Sequence, residues 1–207
     1  MSGSTTRVER ADGVLRRRNS RRLILAAAVA VLDSEGPSGI TFDAVSSESG
    51  ITRQGVLYHF PTRDHLIAAL HEYLAFLWKE DLECNVPSPS PPHNPSTCYR
   101  AYVQACAHER SVHRLHFMLS GWSSPAFAKH WLRVSEYWAP PQPLDDCDGG
   151  AIRNFVGRLA AEGLHVHLSL ADIRLSSKVF EALIASILDL VAPVASEGHA
   201  STSSEHV

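Results

Sequence analysis

Cysteine is scarce in this chain of 207 residues and poorly placed for chemistry: Cys84, Cys98, Cys106 and Cys147 lie 14, 8 and 41 residues apart, with no CxxC pair. That spacing excludes a zinc knuckle and a dense disulfide framework, so free thiols in a reducing cytoplasm are expected. Long apolar runs are missing too. The longest, residues 23–32, has ten residues, against the roughly 20 that a membrane-spanning helix needs. There is no GxSxG elbow, no glycine-rich phosphate loop and no HExxH pair, so no catalytic residues, metal site or cofactor are expected. His113 and His116 are one turn apart but lack a third ligand at suitable spacing. Alternating strand patterns with hairpin turns are also missing, and the chain reads as all-α.

What is present is an uneven distribution of charge. The formal net charge is −3, yet seven arginines fall between Arg7 and Arg22 against Glu9 and Asp12 alone, while residues 66–207 carry ten basic and fifteen acidic side chains. A basic end on an acidic body suits a phosphate-facing arm, and a solvated tail is the competing reading. Arginines before an apolar run also open export signals, but here a small-residue cleavage site, Ala28-Val29-Ala30, would fall inside the apolar core.

Helical punctuation follows. Asn19 or Ser20 can cap a helix that ends at Gly36-Pro37, with Leu23, Ile24, Ala27, Val31 and Leu32 on one face and Leu25, Val29 and Ala30 making it apolar nearly all round. Thr41 can cap a short helix with Phe42 and Val45 inward and Gly50 at its left-handed end. Thr52 can cap another, stopped near Phe60 by Pro61. Thr62 starts a longer one with Leu66, Ile67, Leu70, Tyr73, Leu74 and Leu77 inward. After the proline-rich segment 85–97, helical patterns cover 98–121 and 125–138, then 150–168 and 174–194.

Two short helices joined by a glycine turn and braced by an apolar helix are the parts of a helix-turn-helix. ITFDAVSSESGITRQGVLYHFPTRDHLIAAL resembles the DNA-binding segment of the tetracycline-repressor (TetR) family of transcriptional regulators. The resemblance covers about residues 20–70 and implies an all-helical homodimer with an N-terminal DNA-binding domain and a larger domain that binds an inducer and dimerises. The expected divisions are a basic flexible arm (1–18), the helix-turn-helix (19–64), the ligand-binding and dimerisation domain (65–195) and a disordered tail (196–207). The expected function is a repressor released from a palindromic operator by a small apolar or aromatic effector. The alternative is a helical small-molecule binding or metal-sensing protein with weak or lost DNA binding.

The DNA-facing set is Arg21, Arg22, Thr41, Thr52, Arg53, Gln54, Gly55, Tyr58, His59 and Arg63. In a major groove, Arg53 suits guanine O6 and N7, Gln54 suits adenine N6 and N7, and Gly55 admits close backbone approach. Thr41, Tyr58, His59 and Arg63 match family positions that touch phosphate, which fixes register without reading sequence. Packing competes with phosphate contact for Tyr58 and His59. One departure is Leu57, where the family often has a phosphate-contacting tyrosine.

In the C-terminal part, Ile152, Phe155, Val156, Leu159 and Gly163 form one stripe, and Phe180, Leu183, Ile184, Ile187, Leu188 and Val191 another, as a four-helix dimer interface would need. Phe155, Leu159, Phe180, Leu183, Ile184 and Ile187 are its expected centre. Tyr102, Phe117, Met118, Trp122 and Trp131 are candidates for an effector pocket, with simple core filling as the other reading.

Overall fold

In the computed structural model, which describes residues 3–86, 94–108, 111–170 and 175–191 and side chains from Arg17 onward, every regular element among the described residues is helical. The helices are α1 (Gly3–Glu35), α2 (Phe42–Ser49), α3 (Arg53–His59), α4 (Arg63–Cys84), α5 (Pro95–Cys106), α6 (Val112–Gly121), α7 (Pro125–Trp138), α8 (Gly149–Leu170) and α9 (Ser177–Leu190).

α1 begins well before the expected cap. Asn19 and Ser20 lie in its interior, and the backbone of residues 3–18, expected as a flexible arm, is helical. No proline interrupts residues 3–35, and one interior Asn and Ser cost only a few tenths of a kcal/mol each in propensity. Its far end is as expected: Gly36 takes φ 76° and its N–H bonds to the Leu32 carbonyl at 3.0 Å, a left-handed stop before Pro37. Ile24, Leu25, Ala28, Val31 and Leu32 are buried, as is Val29 on another side, so α1 does lie between neighbours. Leu23 does not join that stripe. It is 57% exposed.

The run expected at 98–121 is two helices. Asn94 caps α5 and Ser111 caps α6, each side-chain oxygen accepting a backbone N–H. Pro95 at the first turn of α5 is compatible with a helix start because its missing N–H would have had no partner there. The break was hard to see because Ser111 sits in a run rich in helix formers. The expected tail 196–207 and most of the proline-rich segment lie outside the described residues.

The centre of the body is an aromatic sandwich around a buried histidine. His71 of α4 stacks on Phe117 of α6 at 4.1 Å and on Phe127 of α7 at 4.6 Å between centroids. Trp131 Nε1 stands 3.5 Å from its Nδ1, at the long limit of a hydrogen bond. α6 approaches this closely because Gly121 has no Cβ; one built there would lie 2.6 Å from His71 Cε1. Phe117, proposed above for the pocket, is thus a packing residue, only 2% exposed.

Burial, then the charge of His130, lowers the His71 pKa from 6.5 to about 4. Above pH 6.5 the ring is neutral in folded and unfolded chains alike. Between 6.5 and 4 the unfolded chain takes up a proton that the folded chain refuses, so stability falls as pH is lowered through that window, by up to about 3 kcal/mol. Urea unfolding between pH 8 and 4 should show this loss, and His71→Gln, although less stable at pH 7.5, should show a flatter pH profile. An equally steep profile in the variant would assign the loss to other groups.

Candidate DNA-reading surface and effector cavity

Each turn of the helix-turn-helix is held by a side chain the sequence places there. Thr41 Oγ1 accepts from Ala44 N–H at 3.1 Å, and Thr52 Oγ1 from Gly55 N–H at 3.2 Å; such caps contribute about 1 kcal/mol each. Gly50 adopts φ 68° with open space around its missing Cβ, so backbone conformation alone favours glycine there. Ser46 Oγ donates to the Ile51 carbonyl at 2.7 Å, closing the turn. Val45, Val56 and Phe60 are buried beneath it.

This leaves Thr52, Arg53, Gln54 and Tyr58 exposed along the outer side of α3. Tyr58 is 65% exposed, which removes the core-aromatic reading, and Leu57 beside it is half-buried. Arg53 Nε stands 2.9 Å from Asp43 Oδ1 of α2. The terminal nitrogens remain, and two parallel N–H groups match the paired acceptors of guanine.

Gly55 also has a packing role inside the motif. The Cβ it lacks would lie 2.8 Å from Ile51 Cγ2, so its smallness lets α3 close over the turn. Arg63 has a structural role as well: its Nε and Nη2 donate to the Ile40 and Pro37 carbonyls at 3.2 and 3.1 Å. It clamps the segment between α1 and α2 from its position at the start of α4.

Arg17, Arg18, Arg21 and Arg22 are exposed on α1. The Arg21 guanidinium lies 5.3 Å from the Phe60 ring centroid, within cation–π range. His59 is half-buried beside it; burial, then the charges of Arg21 and Arg17, lower its pKa. It is therefore a neutral hydrogen-bonding group at pH 7, in a cationic rim joining α1 to the end of α3.

The second feature is a cavity of about 340 Å³ bounded by α4 to α8. Tyr102, Met118, Trp122 and Trp131 of the expected set line it. So do Leu74, Leu77 and Trp78 of α4, Arg114 and Leu119 of α6, and Arg158, Glu162 and His165 of α8, which the sequence reading missed. Glu162 Oε1 accepts from Tyr102 Oη at 2.8 Å and Arg158 Nε at 2.7 Å. Burial, then Cys106 and Glu162, push the Tyr102 hydroxyl pKa up, which keeps it a donor. The i, i+4 pair of opposite charge, Arg158 and Glu162, was the available signal.

Of the expected dimer residues, Leu159 and Leu183 are exposed at 52% and 38%, while Phe155, Phe180 and Ile184 are half-buried. Ile187 is turned inward and is 7% exposed. It packs where Gly157 lets α8 and α9 approach, an added Cβ there being 3.0 Å from Val191 Cγ2 and 3.6 Å from the Ile187 carbonyl.

An all-helical chain with a capped helix-turn-helix at one end and an aromatic cavity in its body defines a class, the helix-turn-helix proteins with a helical companion domain. Residues 24–70 match the family described as bacterial regulatory proteins, tetR family, and the chain as a whole carries the TetR-family fold. It is similar to a TetR-family transcriptional regulator from Rhodococcus sp. (15% identity, covering 84% of this chain and 98% of the other, TM-score 0.58). It is also similar to one from Mesorhizobium loti (14%, 85% and 96%, 0.59). A third likeness is to the TetR-like regulator LfrR from Mycobacterium smegmatis in complex with proflavine (18%, 86% and 98%, 0.51). No curated protein matches the sequence. TetR-family proteins are DNA-binding transcriptional regulators, often ligand-responsive.

If Arg53 reads a base, Arg53→Ala should weaken specific DNA binding by about 1–3 kcal/mol and relax preference at one base pair. Asp43→Asn should have a smaller effect in the same direction. Binding measured across single-base variants of the bound site checks this; an Arg53→Ala protein with unchanged affinity and preference would remove Arg53 from base reading.

Proposed function

We propose that this protein is a ligand-responsive DNA-binding transcriptional regulator, acting as a homodimeric repressor released from a palindromic operator by a small apolar or aromatic effector. The observation that carries the reading is the two-sidedness of α3, with Val56 buried on its inner side while Thr52, Arg53, Gln54 and Tyr58 are exposed on the outside. A short helix of this kind fits a major groove with its N-terminal residues nearest the base edges. The arginines of α1 add phosphate attraction that weakens as salt rises.

Dimerisation is supported by a stripe on α8. Ile152, Val156, Leu159, Gly163, Val166 and Leu170 recur every three or four residues and all are exposed. Val179 and Leu183 of α9 are exposed as well. Apolar rows of this length in water mark an interaction face, and pairing them about a two-fold axis makes a four-helix interface. Release by an effector is supported by α4, which follows α3 in the chain after Thr62 and lines the cavity with Leu74, Leu77 and Trp78. An occupant that prefers a different tilt of α4 shifts the spacing of the two reading heads. The proflavine bound to the M. smegmatis relative fits an aromatic effector.

A gel-shift assay with DNA upstream of the protein's own gene should give a specific complex that excess nonspecific DNA does not compete away. No complex with that DNA or with a random-sequence pool would favour the alternative of a small-molecule binding protein that has lost DNA affinity. Leu159→Glu should yield a monomer by size-exclusion chromatography, with specific DNA affinity reduced at least about tenfold because one head reads only one half-site. A variant that remains dimeric would move the interface away from the α8 stripe.

A further inference from the structure

The cavity wall is not electrically neutral from the inside. Three of its lining side chains are formally charged at pH 7: Arg114, Arg158 and Glu162. Arg158 and Glu162 cancel each other through the 2.7 Å contact between Nε and Oε1. Arg114 is balanced differently. Its counter-ion is Asp33, in the last turn of α1 and outside the cavity lining. An occupant therefore meets one positive charge whose neutralising partner lies behind the wall.

The Arg114 fork is specific about which edge it offers. Nε donates to Asp33 Oδ1 at 2.7 Å and Nη2 donates to Oδ2, which commits one bidentate edge of the guanidinium. Nη1 has no partner among the described residues. The free edge, Nη1 with the second N–H of Nη2, is the other geometry by which a guanidinium holds a carboxylate. Around it the wall is apolar and aromatic, with Met118, Leu119, Trp122 and Trp131, where a charge–charge contact is screened less than in water.

We propose that the cavity takes an organic acid with a flat apolar body, its carboxylate held by Arg114, and that this carboxylate competes with Asp33 for the guanidinium. The inference rests on the reading of the cavity as the effector site. Two carboxylates on one guanidinium repel each other, so an occupant weakens the bond that ties α6 to α1. α1 carries Ile24, Leu25 and Val29 in the same core as Val45 and Val56 of the reading head. Loosening its end at Asp33 transmits occupancy to the head by a route separate from α4.

The test uses three probes of one shape, 1-naphthoate, 1-naphthylmethanol and 1-naphthylmethylammonium, titrated into the full-length protein by calorimetry. Naphthoate should bind at least about tenfold more tightly than the alcohol, and the ammonium most weakly. Arg114→Gln should abolish the preference for the acid, bringing naphthoate to within about twofold of the alcohol in the same variant. Asp33→Asn, which removes the competitor, should tighten naphthoate binding several-fold without changing the alcohol. Equal binding of acid and alcohol, or tighter binding of the ammonium, overturns the acid assignment while the cavity remains an effector site. If none of the three binds, the cavity reading falls and the proposal with it. If Arg114→Gln does not fold by circular dichroism, Asp33→Asn decides alone: unchanged naphthoate affinity in that variant overturns the competition.

Discussion

The middle of α4 is the constraint on which the other parts depend. There a neutral imidazole is held between two phenyl rings, and the helix carrying one of them comes close enough only because Gly121 adds no side chain. Aromatic stacking of this kind adds about 0.5–1.5 kcal/mol per pair beyond buried area. Its larger effect is geometric, since it fixes how α6 and α7 cross α4 and therefore where a space is left beside them. The cavity is that space. Trp131 belongs to both, with its indole nitrogen near His71 and its ring in the cavity wall. A change in the contents of the cavity thus presses directly on the joint that orients α4.

Two elements run from this joint to the reading head, and they differ in kind. α4 is a continuous rod of 22 residues capped by Thr62, and in the proposed mechanism it would convey tilt. α1 is tied to the body by an ion pair at its C-terminal end and by the close seat of His113 against Gly36, where an added Cβ would fall 2.9 Å from the ring. Packing conveys displacement of any occupant, whereas the ion pair responds only to charge. Under the reading proposed above, the two connections would respond to different properties of an occupant, its shape and its charge.

The parts most legible in the sequence were those set by local chemistry. Thr41, Thr52 and Thr62 are caps because a hydroxyl at that position satisfies an orphan N–H, and Gly50 is left-handed because few other residues adopt that backbone readily. These rules need no partner helix. The readings that differed depended on tertiary context. The packing of Gly55 against Ile51 shows only once the turn is folded. Ile187 and Leu183 belong to the same apolar pattern, and which of them turns inward depends on how closely Gly157 lets α8 approach. Arg114 and Asp33 are 81 positions apart, and nothing local connects them.

The ion pair of Arg53 illustrates how weak contacts can suit a reading surface. Its two side chains are 60% and 78% exposed, so the pair contributes at most about 1 kcal/mol. A buried pair would hold the guanidinium too firmly to meet a base. A free arginine would lose more rotamer freedom on binding, at about 0.5–1.5 kcal/mol per immobilised side chain. The exposed contact through Nε lies between these limits: it narrows the side chain's range while leaving the terminal nitrogens open. If Arg53 reads a base as proposed, a side chain held by Asp43 and offered from the first turn of α3 would meet the groove with its donors already aligned.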